Sequence, residues 1–164
     1  MATIPRIPRP IRFRPAAGER LVRGAWRDPQ FLAACAAAPA VWIGLAASGL
    51  PLRLDVPSLA SWHGAWLVAA GPILEELAFR GGLQPAARNA LDAILRPRPA
   101  AWTANLLTSV AFAALHLPTH PPAWAAAVFV PSLAFGHFRD RHDGLASPIA
   151  LHVFYNAGYF ALFG

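Results

Sequence analysis

The 164-residue chain has no lysine, a single cysteine, one methionine and two tyrosines, and only 13% of its residues are charged. Soluble domains are roughly a quarter charged, so this sequence lacks the polar cover of an ordinary water-exposed fold. The lone Cys35 excludes an internal disulfide framework. Amphipathic striping is missing too: apolar residues, 56% of the chain, fall in long charge-free runs. That is the signature of a bilayer protein rather than of a soluble core. A chain of this length is expected to form one domain. Leu32-Ala33-Ala34-Cys35 spells a lipobox-like string. A lipoprotein signal places that cysteine after an apolar core, whereas here it opens one. The run also lacks the short core and cleavage site of a signal peptide, so it is expected to be retained as a span.

All fourteen basic residues are arginines, and seven of them, from Arg6 to Arg27, precede the first apolar run. A basic, proline-rich arm can bind nucleic acid. Beside a membrane span, a cytoplasmic flank held by charge asymmetry and anionic lipid is the favoured reading, without a nucleic-acid partner. The chain thus divides into an arm, residues 1–30, and a transmembrane domain, residues 31–164. The expected fold is all-α, a polytopic bundle of about five spans. Phe31 to Leu50 is long enough to cross ~30 Å of hydrocarbon. From Val56 the chain is uncharged until Glu75, passing Gly71-Pro72, which predicts a helix break or kink. Pro99 to Phe138 is uncharged, and Pro118, Pro121 and Pro122 split it into two spans joined by a tight turn. Arg139 to Asp143 forms a charged loop, and Gly144 to Gly164 makes the last span. With the N-terminus inside, the loops holding Arg88, Arg96, Arg98, Arg139 and Arg141 also fall inside, and the outer loops hold only Arg53. The expected location is a bacterial inner membrane with a cytoplasmic N-terminus.

Three charges interrupt the second span: Glu75, Glu76 and Arg80. A charge near the bilayer centre costs roughly 2.5–3.5 kcal/mol on insertion scales. Glu76 and Arg80 are four apart on a helix and can pair, while Glu75 points about a quarter-turn away. The cluster could instead mark the cytoplasmic end of the span. Residues 81–87 are uncharged, however, and a helix continuing to Arg88 puts Glu75 roughly 19 Å from that boundary at 1.5 Å per residue. His116 ends the string Phe112-Ala113-Ala114-Leu115-His116 in the third span, and His152 and Asn156 share a face of the fifth. An isolated histidine in an apolar helix is usually a packing residue, the reading given to His63, His120, His137 and His142. Polar groups on three separate spans can converge only in a bundle interior or a wet cavity.

These strings resemble the CPBP family, intramembrane proteases related to the type II CAAX prenyl endopeptidase. Glu75-Glu76-Leu77-Ala78-Phe79-Arg80 resembles that family's EExxxR element, Phe112 to His116 its FxxxH element and His152 to Asn156 its HxxxN element, in the family's order. The resemblance covers roughly Trp66 to Phe160. It implies that Glu75 and His116 activate water, that His152 and Asn156 stabilise the oxyanion, and that Glu76 and Arg80 support them. The substrate would be a membrane-anchored protein or peptide, with no metal or cofactor needed. In size and layout the chain resembles a short bacterial branch of the family, the myxosortases, which implies processing of C-terminal sorting tails of exported proteins.

Other readings stay open at this point. Glu, His and His are plausible zinc ligands with a fourth position for water, although no HExxH or other compact ligand motif is present. A non-catalytic binding or immunity protein could use the same polar pocket. A small ion or proton carrier could use the same ionisable groups.

Overall fold

The computed structural model describes residues 24–54 and 56–164, and most of the expected N-terminal arm lies outside the described residues. All regular structure among those residues is helical.

Helix α1, Pro29–Ala47, starts where Asp28 accepts a hydrogen bond from the Gln30 N–H at 3.0 Å and Pro29 occupies the first turn. Both are favoured helix-starting choices, because the first turn has N–H groups without helical partners. This helix is long and apolar enough to cross a membrane, and it alone among the described helices passes that test. A short 3-10 turn, Pro57–Ala60, precedes α2.

Helix α2 is a continuous rod over residues 62–92, built from α-helical Trp62–Ala65, Gly71–Glu76 and Gln84–Asp92 with π-helical Trp66–Ala70 and Leu77–Leu83 between them. Of the break or kink expected at Gly71-Pro72, the break does not occur. Pro72 cannot donate, and its ring disfavours ordinary i−4 bonding; here the Gly71 N–H reaches back five residues to the Trp66 carbonyl, and the rod carries on. Helix α3, Pro97–Ala114, returns antiparallel to α2. Helices α4, Pro122–Ala127, and α5, Phe129–Arg141, follow the proline turn and form nearly one rod, so the expected charged loop begins only after Arg141. Helix α6, Ala146–Phe163, closes the chain.

Helix α3 packs on α2 and α5, and α6 packs on α1, α2 and α5. Phe31, Phe135, Phe138 and Leu151 form the apolar centre. Gly136 permits the close approach of α3 and α5: a Cβ there would lie 1.9 Å from the Asn105 Oδ1, the use to which small residues are put between membrane helices. Arg141 and His142 both reach Asp28, and Arg88 lies 3.8 Å from Asp140, so the charged ends of α1, α2 and α5 gather at one end. At the other end the Arg53 N–H donates to the Leu162 carbonyl at 2.8 Å, joining the loop after α1 to the end of α6.

Candidate active site

Glu76 and Arg80 are fully buried and pair at 3.1 Å, as their spacing predicts. Arg80 also donates through Nη2 to the Ser132 carbonyl at 2.8 Å and to its hydroxyl. Its guanidinium lies 4.8 Å from the centre of the Phe112 ring and 5.4 Å from that of Phe135. A buried ion pair holds only when further hydrogen bonds satisfy it. Ser132, from α5, meets Nη2 of Arg80, while Arg80 Nε and Glu76 Oε2 stay buried without a hydrogen-bond partner among the described residues.

His152, from α6, places Nδ1 2.9 Å from the same Glu76 oxygen that Arg80 binds. A carboxylate oxygen accepts, so Nδ1 carries the hydrogen and Nε2 is left for another partner. That nitrogen stands 3.6 Å from Glu75 Oε2. The ring stacks on Phe135 at 4.6 Å and lies 5.9 Å from the Phe112 ring in a steeply tilted, T-shaped contact.

Glu75 is 40% exposed at its side chain, in contrast to its neighbour. It lines a cavity of about 270 Å³ with Phe79, Phe112, Leu115, His116 and others. His116 sits just past the end of α3, with Nδ1 2.8 Å from the Phe112 carbonyl. A carbonyl only accepts, so Nδ1–H is the donor and Nε2 is not used in that bond. Asn156 lies one turn beyond His152 on α6 and donates one amide hydrogen to the Leu67 carbonyl at 2.9 Å, in the first π segment. The structure therefore gathers Glu75, Glu76, Arg80 and His152 into one cluster. It places His116 across a shared cavity from Glu75, and fixes Asn156 at the cluster's flank.

Two participants were not singled out in the sequence. Ser132 is an ordinary small residue in an apolar run, and only the fold brings it to Arg80. His120, expected to be a packing residue, stacks on Trp124 at 4.0 Å and also lines the cavity. Its spacing of four from His116 was the available signal. Among the described residues, no three His, Cys, Asp or Glu side chains are grouped so as to hold a metal ion.

Comparison with known proteins bears on this arrangement. Neither the curated proteins nor the solved structures yield a match. The family model described as type II CAAX prenyl endopeptidase Rce1-like matches residues 57–158, a stretch that contains Glu75, Glu76, Arg80, His116, His152 and Asn156. The chain belongs to that family of membrane-associated, CAAX-type intramembrane peptidases.

Proposed function

We propose that this protein is a glutamic-type intramembrane endopeptidase that hydrolyses a peptide bond in or near the membrane anchor of a substrate protein. The observation that carries the reading is that Glu75 and His116, from different helices, line one cavity while His152 faces Glu75 at 3.6 Å. In liquid a water occupies about 30 Å³, so a cavity of about 270 Å³ has room for a hydrolytic water beside a peptide group.

In this mechanism Glu75, with His116 on the same cavity, takes a proton from water as the oxygen adds to the scissile carbonyl. His152, held through Nδ1 by Glu76, presents Nε2 to the developing oxyanion. The second amide hydrogen of Asn156 is the other donor, its direction held by the bond to Leu67. Collapse of the intermediate breaks the C–N bond, and the amine leaves with the proton first taken from water. Glu76, Arg80 and Ser132 touch no substrate; they hold His152 in place.

The wider reading is a five-span protein of a bacterial inner membrane with a cytoplasmic N-terminus. The helical rods, the arginine distribution and the family support it, and C-terminal sorting tails of exported proteins are the proposed substrates. Co-expression with candidate exported proteins, followed by mass determination of their new ends, tests it. Glu75→Gln should leave the protein inserted and the substrates intact. Cleavage at the normal rate by that variant removes Glu75 as the base.

A further inference from the structure

We infer that the cavity opens on the extracytoplasmic side of the membrane, near the interface, so that the substrate is cut where its anchor emerges on the side to which proteins are exported. This deepens the peptidase reading and rests on it for the nature of the substrate, but not for the direction of the opening.

Three observations converge. First, the cavity wall includes His116, Thr119 and His120, which belong to the end of α3 and the turn after it. That turn lies at the end of the bundle where Arg53 meets Leu162, opposite the end where Asp28, Arg88, Arg139 and Arg141 gather. Second, the arginines divide unequally between those ends. Apart from buried Arg80, the turn end has Arg53 alone, and the other twelve lie in the arm or in the segments at the opposite end. Arginine bias in short loops sets orientation, with the rich side cytoplasmic, so the cavity end faces outward. Third, the same end carries aromatic residues of the kind that sit at a membrane–water boundary. Trp124 stacks on His120 and meets the Tyr159 ring edge at 6.4 Å, and Trp62 is 84% exposed at the start of α2. Trp and Tyr favour headgroup depth. Glu75 is reached from that level, not from the arginine-rich side.

The test uses the full chain in cells, in a Cys35→Ser background. Thr119→Cys is placed in the cavity wall and Ile94→Cys in the exposed connection after α2. A membrane-impermeant maleimide is applied to spheroplasts before and after lysis. Thr119→Cys should label equally in both states, and Ile94→Cys at least about tenfold less before lysis, as an inward loop requires. The reverse pattern overturns the inference. Should a cysteine variant fail to accumulate, a reporter fused after Gly164 gives a second readout: active alkaline phosphatase supports the outward end, and fluorescent GFP with inactive phosphatase overturns it. Failure here is separate from failure of the peptidase reading, because a wrongly placed mouth leaves the Glu75→Gln result unchanged.

Discussion

At the scale of single residues, two adjacent glutamates take opposite environments. Glu76 is sealed between Arg80 and His152, whereas Glu75 faces the cavity. His116→Ala and His152→Ala should each abolish cleavage in a reconstituted assay while leaving membrane insertion unchanged. Asn156→Ala, which removes one of two oxyanion donors, should retain measurable activity, reduced by about 10²–10³. Ser132→Ala acts differently. It strips one acceptor from a buried guanidinium, and leaving such a group short of partners costs about 1–3 kcal/mol. Thermal unfolding in detergent should show that loss, with the peptide-bond chemistry slowed only as far as His152 loosens. The pairing of Glu76 with Arg80 and the separate outlook of Glu75 could be read from spacing alone, since both follow from helical geometry. Ser132 could not, because its partner lies 52 residues away.

At the scale of elements, the rod over 62–92 shows where periodicity stops being informative. A charge-free run flanked by arginines marks a span, and the run contains a proline that ordinarily ends a helix. Whether the backbone breaks or shifts to i+5 bonding depends on carbonyl register, which side-chain pattern does not encode. The two π segments bracket Glu75 and Glu76, and such segments are frequent at functional sites. The first also supplies the Leu67 carbonyl that holds Asn156. Between α3 and α5, contact depends on Gly136 having no side chain. Gly136→Ala should destabilise the protein by about 1–3 kcal/mol, the usual cost of overpacking. Adding Asn105→Ala to that variant should restore part of the melting temperature, because the clash is with the Asn105 side chain. Pairing every helix with its neighbours was beyond sequence reading, since charge-free faces offer no register marks. His120 keeps its packing role against Trp124, and that its ring also borders the cavity follows from the fold and not from its place beside the prolines.

At the scale of the whole molecule, the charged end works as a clasp. Hydrogen bonds from Arg141 and His142, with the Gln30 N–H, hold the Asp28 carboxyl well below its ordinary value of 3.8. A carboxyl depressed on folding adds stability above the unfolded value and loses it as pH falls through and below that range. Asp28→Asn should therefore melt at a lower temperature at pH 7, and the gap from the parent should narrow on acidification toward pH 3. Chelation is informative at this scale too. Purified protein treated with a strong chelator is expected to keep its cleavage rate; loss restored by added zinc would transfer the mechanism to a metal. The Glu76–Arg80 pair has a further consequence, for biogenesis. Both partners lie in one helix, four residues apart, so their charges cancel as soon as that helix winds. The pair can then pass into lipid without net charge, leaving Glu75 as the segment's one acid without a local base, while Ser132 is still unsynthesised. Its later arrival on α5 completes an arrangement that the nascent chain has carried, already zipped, from the moment of insertion.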